Sequence, residues 1–257
     1  NMCPQALETA IKQFIKRGKK PKAILVVHLY GMPAKMKEIG ALSERYGIPI
    51  IEDAAEALGS SIEGQACGSF GTFGILSFNG NKIITTSGGG ALQSNDEAAI
   101  AKARFLATQA KDTAPHYEHS TLGYNYRMSN IAAAIGVGQL QVLEDRVAAR
   151  RANYRFYEDL FKNVDGVRFL EEPQGFLSNR WLSCVLLEQS KNKKLEPEHF
   201  RLHLEQDNIE SRPLWKPMHM QPLYKGAAYF GGAVAQELFQ KGLCLPSGSN
   251  LTDQDKE

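Results

Sequence analysis

The chain has 257 residues, 43% hydrophobic and 23% charged, enough apolar material for one large domain and a smaller one, and too much for a disordered polypeptide. Thirty basic against 28 acidic side chains leave a formal charge of +2, too balanced for a nucleic-acid-binding surface, so any anionic ligand must be gripped locally. No apolar run approaches the length of a membrane span and the first residues lack a basic-then-apolar leader, so a cytoplasmic protein without membrane contact is the expectation.

Leu7, Ala10, Ile11 and Phe14 recur at helical spacing between Ala6 and Arg17, with Gly18 placed to stop the helix. Ala23 to Val27 reads as a strand, Pro33 to Gly47 contains a second helix with Met36, Ile39 and Leu42 on one face, and Ile48 to Asp53 is the next strand. This β-α-β order predicts a parallel sheet, and ligands of such sheets gather beyond the carboxyl ends of the strands, where Asp53 falls. Phe73 to Phe78 reads as another buried strand, Gly88 to Leu92 as a return strand, and Asp96 to Thr108 as a helix. A long helix capped by Ser129 or Asn130 is predicted to run through Phe161 and to bridge two domains, 1–149 and 150–257. Shorter elements follow: strands over Trp181 to Leu187 and Ile209 to Leu214, and a helix around Glu196 to Glu205, with a helix start at Leu251.

Cys3, Cys67, Cys184 and Cys244 are scattered without a Cys-x-x-Cys pair, which predicts reduced structural thiols rather than a metal or disulfide framework. His116 and His119 are three apart but have no companion ligands, so a polar loop accounts for them better than a metal.

Lys82 lies after the turn-forming Asn79-Gly80-Asn81 and before apolar Ile83-Ile84, at a turn beside the sheet. By itself it reads as an ordinary surface lysine. Asp53 alone reads as a cap and Glu56 as an exposed glutamate, while Ser77 ends a strand where its hydroxyl can reach a phosphate. Together, a fixed lysine amine and a carboxylate able to face a pyridine nitrogen fit the chemistry of pyridoxal phosphate (PLP). The Gly88-Gly89-Gly90 run matches neither nucleotide-loop pattern.

Five segments carry a resemblance: His28-Leu29-Tyr30-Gly31, Glu52 to Ala57, Ser77 to Gly90, Gly123 to Asn130, and Arg212 to Lys216. They resemble the DegT-type nucleotide-sugar aminotransferases over nearly the whole chain. The resemblance implies an α/β aspartate aminotransferase-type PLP fold, with a three-layer large domain built on a mostly parallel sheet and a smaller C-terminal α+β domain. It also implies that Lys82 carries PLP, Asp53 pairs with the ring nitrogen, Ser77 contacts the phosphate, and Glu56 lies near the ring hydroxyl. Asn125 matches an asparagine that reaches the phosphate of the neighbouring subunit, which implies a homodimer with shared sites.

The strings Asp53 to Ser60, Asn79 to Gly90, His116 to His119, Ser178 to Ser183 and Cys244 to Gly248, with Glu56 among them, are similar to the branch acting in N-acetylbacillosamine synthesis. The implied reaction moves an amino group from glutamate to C4 of a UDP-linked 4-keto-6-deoxy-N-acetyl hexosamine for cell-surface glycans. Arg180, Trp181, Arg212 and His219 are the preferred substrate contacts, being cations and flat rings suited to phosphates, carboxylates and bases. Relatives carry an N-terminal region with a phosphate-wrapping turn and a ring-stacking aromatic that these 257 residues lack. The expectation is a partial fold that alone binds PLP weakly or not at all. Two alternatives are a PLP-dependent sugar dehydratase of the same fold, against which Lys82 argues because those relatives have histidine there, and a non-catalytic regulatory or structural relative.

Overall fold

The structure, a computed structural model, describes residues 1–188 and 196–256. Helix α1 (Pro4–Lys16) starts on a proline, whose fixed φ suits the first turn and whose missing amide costs nothing there. It leads to β1 (Ile24–Val27), α2 (Met36–Tyr46) and β2 (Ile50–Asp53). Gly47 ends α2 in the left-handed conformation at φ 57°, its amide returning to the carbonyls of Ser43 and Glu44. Ile11, Ile24, Val26, Ala34, Met36, Ile39, Ile48 and Ile50 form one buried cluster that fastens both helices to the same face of the sheet.

A small hairpin, β3 (Ser61–Ile62) and β4 (Gln65–Ala66), precedes β5 (Phe73–Ser77) and β6 (Gly90–Gln93). The first sheet has the order β1-β2-β5-β6, the first three strands parallel and β6 antiparallel. Parallel strands align their carboxyl ends, so His28, Asp53 and Ser77 emerge along one edge of the sheet. Its other face carries Leu25, Ile75 and Leu92, which are exposed.

After α3 (Glu97–Ala107), capped by Asp96, the expected single long helix is two: α4 (Asn130–Leu140), capped by Ser129, and α5 (Leu143–Phe161). The break at Gln141 and Val142 separates stretches with different burial. Ile131, Ile135, Val137 and Leu140 of α4 are exposed, whereas α5 buries Val147, Arg150, Asn153 and Tyr154. One continuous rod would have to present both sets at one unchanging twist.

The second sheet has the order β10-β11-β9-β7 and is antiparallel throughout, from β7 (Val167–Phe169), β9 (Ser183–Leu187), β10 (Arg212–Pro213) and β11 (Gly242–Leu245). Val185, Leu187, Leu243 and Leu245 face α5 and α6 (Pro197–Gln206), where Tyr157, Phe161, Phe200 and Leu204 close the core. α7 (Val234–Lys241) runs into β11. β8 (Phe176–Leu177) pairs with β3 and so ties this half of the chain to the hairpin. Among the expected strands that come out shorter than read are those over 181–187 and 209–214. Trp181 leaves the sheet because Arg180 turns left-handed at φ 50°, and β10 stops at Pro213, which has no amide to donate. The expected helix start near Leu251 is a short 3-10 turn, Gln254–Lys256, pinned by Thr252 bonds to Asp255.

Candidate active site

Glu52 organises the carboxyl edge of the first sheet. Its carboxylate is fully buried and accepts from the amides of Gly68 (2.8 Å), Phe70 (2.6 Å) and Gly71 (2.5 Å) and from the His28 ring Nε2 (2.9 Å). The Ala34 amide donates to His28 Nδ1 at 2.9 Å, so the ring hydrogen sits on Nε2 and points at Glu52. Burial pushes the Glu52 pKa up, but the His28, Gly71 and Gly68 donors outweigh it and hold the carboxyl below its ordinary 4.5. The ends of β1 and β2 and the 68–71 loop are thereby locked together.

Beyond that lock, Gly31 has φ 83°, and a Cβ there would lie 1.9 Å from Asn179 Oδ1. The Asn179 amide nitrogen donates to the carbonyls of Glu56 and Leu58, both at 2.8 Å, and its oxygen accepts from the Trp181 amide at 2.9 Å. Ser60 Oγ bridges the Gly31 carbonyl (2.7 Å) and the Asn179 amide (2.9 Å). Gly31→Ala is expected to cost about 1–3 kcal/mol in backbone strain alone and to lower Tm by roughly 5–10 °C in a thermal melt.

This scaffold brings together Lys82, Glu56 and Trp181. The Lys82 side chain is only 13% exposed, its Nζ 3.9 Å from Glu56 Oε1 and 4.4 Å from the centre of the Trp181 ring. Trp181, 2% exposed, donates from Nε1 to the Asn81 carbonyl at 2.9 Å, which holds the lysine turn against the ring. Glu56 accepts from the Tyr30 amide at 2.6 Å, and Tyr30 adopts a left-handed φ of 58° to deliver that amide. Burial raises the Glu56 carboxyl to about 7, the Tyr30 amide and Lys82 opposing it and the Asp53 charge adding to it.

A carboxyl raised this way takes up a proton on folding, so its contribution is greatest below pH 4.5 and is lost as pH rises towards 7. The protein is therefore expected to lose stability between those values, by on the order of 3 kcal/mol from this group. Glu56→Gln, which can still accept from Tyr30, should remove that share of the slope in urea titrations at pH 5 and pH 8.

Asp53, half-buried at the end of β2, accepts the Ala55 amide on Oδ1 at 3.1 Å, and no other hydrogen bond to its carboxylate is made among the described residues. Ser77, at the end of β5, accepts only a long 3.4 Å contact from the Asn79 amide among the described residues. Both keep polar capacity at the sheet edge, and the donor set of a lysine amine, a carboxylate and a hydroxyl fits PLP. Asn125 is exposed, bridging Thr108 through the backbone, and does not join this cluster.

The other expected substrate contacts are dispersed. Arg180 is 7% exposed, its Nη1 donating to the Leu170 carbonyl (2.8 Å), its Nε 3.8 Å from Glu172 Oε1 and its guanidinium 3.6 Å above the Tyr154 ring. Its charge is spent inside the protein. Arg212 is exposed and ion-paired with Glu210 at 2.5 Å, beside Arg201 and Glu205, while His219 stacks on Tyr229 at 4.0 Å. Of the four, Trp181 alone touches Lys82. Sequence reasoning missed His28, Glu52, Ser60 and Asn179 as the frame. A polar run at the end of an apolar strand was the available signal, but the partners of these residues come from up to 123 positions away. Tyr30 was also missed; its hydroxyl accepts the Trp215 amide at 2.8 Å, joining two distant parts of the chain.

Comparison with known proteins shows the family. The model of the DegT/DnrJ/EryC1/StrS aminotransferase family matches residues 1–257. The chain is 52% identical over 260 residues to EpsN of Bacillus subtilis (strain 168), whose name assigns it provisionally to the pyridoxal phosphate-dependent aminotransferases, covering 100% of this chain and 66% of EpsN. It is 36% identical over 236 residues to the GDP-perosamine synthase of Escherichia coli O157:H7, covering 91% of this chain and 63% of that protein. The crystal structure of a DegT DnrJ EryC1 StrS aminotransferase from Brucella abortus superposes with a TM-score of 0.88 at 33% identity, covering 99% of this chain and 67% of that one. The chain thus spans about two thirds of the length of the curated relatives it matches. The fold is that of these aminotransferases, and the chain belongs to the DegT/DnrJ/EryC1/StrS aminotransferase family.

Proposed function

We propose that the protein is a PLP-dependent aminotransferase acting on a nucleotide-linked keto sugar. The observation that carries this is Lys82: an amine 13% exposed, fixed between Trp181 and Glu56, whose carboxyl feels the Asp53 charge. When bound, PLP supplies an aldehyde that takes up the transferred nitrogen and a ring that draws off electrons. In this reading Lys82 attaches it, Asp53 faces its ring nitrogen, Ser77 its phosphate and Glu56 its hydroxyl. Lys82 also moves the proton on the carbon that gives or receives nitrogen, since its tether keeps the amine within reach. Trp181 shields one side of that amine from water.

The reading divides the chain into a cofactor-holding lobe, 1–149, and a smaller lobe, 150–257, with the site between them. Asn125 serves the site of a second subunit, supported by its exposure and by exposed Tyr117, Leu122, Tyr126 and Ile131 around it. The amino donor is glutamate and the acceptor a UDP-linked 4-keto-6-deoxy-N-acetyl hexosamine, aminated at C4. A GDP-linked acceptor is the second reading, favoured by the 36% identity to a GDP-perosamine synthase. The test is to incubate the protein as its complete gene encodes it with PLP, glutamate and a panel of UDP-, GDP- and dTDP-linked 4-keto-6-deoxy sugars, then weigh the products. Amination of the UDP sugar is expected. Reaction with GDP sugars alone moves the substrate to the second reading, and a deoxygenated product without nitrogen contradicts amino transfer.

A further inference from the structure

Cys184 in β9 and Cys244 in β11 stand directly opposite each other, with their sulfurs 3.8 Å apart. Alternation along both strands sets their side. Val185, Leu187, Leu243 and Leu245 point into the core under α5 and α6, so Cys184 and Cys244 project from the opposite face of the sheet. That face looks towards Tyr30. Cys244 pairs with Arg212 in β10, and three residues further on the Trp215 amide donates to the Tyr30 hydroxyl at 2.8 Å. The Tyr30 amide in turn holds Glu56, 3.9 Å from the Lys82 amine.

We propose that Cys184 and Cys244 form a reversible, oxidisable dithiol whose closure to a disulfide loosens Tyr30 and so weakens the Lys82–Glu56 site. The covalent site is independent of the functional reading, while the coupling rests on it. A bond between the sulfurs requires them to close to about 2.05 Å, which directly opposed neighbours can reach by side-chain rotation and small backbone adjustment. With hydrogen peroxide as oxidant, the Cys244 sulfur attacks one oxygen and the O–O bond breaks. The departing oxygen leaves as water and Cys244 becomes a sulfenic acid. The Cys184 sulfur then attacks the Cys244 sulfur and gives up its proton, and the hydroxyl departs as a second water. Two thiols are oxidised and one peroxide is reduced to two waters.

Cys244 is suited to attack first. The Cys184 thiol donating to it holds it below its ordinary range, against burial, and the Tyr30 hydroxyl adds to the effect. Cys184 moves the other way, raised first by its hydrogen bond to Cys244 and then by burial, as fits the thiol that keeps its proton until the second step. The remaining cysteines serve as controls. Cys67 is buried and pushed up to about 12 by desolvation and then by Glu52, and Cys3 is exposed with Gln5 as its contact.

The experiment treats the complete protein with hydrogen peroxide, blocks remaining thiols with iodoacetamide and maps peptides without reductant. One linked peptide pair joining Cys184 to Cys244 is expected, lighter by two hydrogens than the reduced pair, lost with dithiothreitol and absent from Cys184→Ser and Cys244→Ser. Alkylation of both cysteines after peroxide, or separate over-oxidation without a link, overturns the dithiol. In parallel, PLP is fixed to reduced and oxidised protein with borohydride, and the modified Lys82 peptide is quantified across PLP concentrations. The oxidised form is expected to require about two- to tenfold more PLP, the worth of one hydrogen bond. Equal requirements overturn the coupling and leave the disulfide map standing. Absence of any Lys82 adduct in either form contradicts the Lys82 reading and the coupling with it, again without touching the map.

Discussion

Lys82→Arg is expected to abolish amino transfer while leaving the fold in place. Arginine keeps a positive charge beside Glu56 and over Trp181, so the contacts at 3.9 and 4.4 Å retain their electrostatic sense, and unfolding free energy should move by no more than about 1 kcal/mol. Chemistry has no such tolerance. A guanidinium cannot serve as the amine that attaches an aldehyde cofactor, nor as a proton acceptor near neutral pH. Loss of a positioned base alone lowers a rate by on the order of a hundred- to ten-thousand-fold, and loss of the attachment point adds to that. Single-turnover assays with glutamate, read alongside urea titrations, separate the two effects. Near-normal turnover in a folded variant would place the reacting amine elsewhere.

Glu52→Ala is expected to destabilise the fold more than Gly31→Ala, Glu56→Gln or Lys82→Arg. Removing this carboxylate strands the amides of Gly68, Phe70 and Gly71 and the His28 ring in a region where Glu52 and His28 themselves have no solvent exposure. Each stranded donor costs about 1–3 kcal/mol, and although such losses do not simply add, a total of about 5 kcal/mol competes with the whole stability of an ordinary domain. The variant should therefore unfold in low urea or accumulate insolubly. Glu52→Gln retains one acceptor oxygen and should be milder, still at a cost of a few kcal/mol because its amide hydrogens face other donors.

The sign of the pH dependence at Glu52 is opposite to that at Glu56. A carboxyl held below 4.5 in the fold contributes stability above that value and loses it as pH falls through the folded pKa. The wild type should accordingly weaken in acid, and Glu52→Gln should show less of that acid-dependent loss. Acid titrations followed by tryptophan fluorescence would show whether the two curves converge.

Much of the first half of the fold was legible because its signals are local. The apolar stripe of α1, the glycine ending α2 and the apolar runs of β1, β2 and β5 each specify an element without help from distant residues. The second half was less legible. β10 is two residues long and β11 lies in the middle of its sheet although it is last in sequence, so long-range pairing decides where strands begin and end. No proline marks the break between α4 and α5; its signals are the acidic pair Glu144 and Asp145 in the first turn of α5 and the change from exposed to buried faces.

At the candidate site, Lys82, Asp53, Glu56 and Ser77 were found through resemblance, since each taken singly is an ordinary residue. Arg180 shows the limit of reasoning from residue type. A cation beside a tryptophan looked suited to an anionic ligand, but the left-handed turn at Arg180 sends its guanidinium to Leu170, Glu172 and Tyr154. His28, Glu52, Ser60 and Asn179 lie within the strings that carry the resemblance, but their role as a frame was not legible there, because its hydrogen bonds close loops far apart in the chain.

The proposed chemistry needs one amine, that of Lys82, and borohydride reduction in the presence of PLP tests it most directly. The complete protein, treated and digested, should yield a single peptide heavier by the reduced cofactor, with the added mass on Lys82 and missing from Lys82→Arg. Attachment to a different lysine, or equal labelling of the variant, would contradict it.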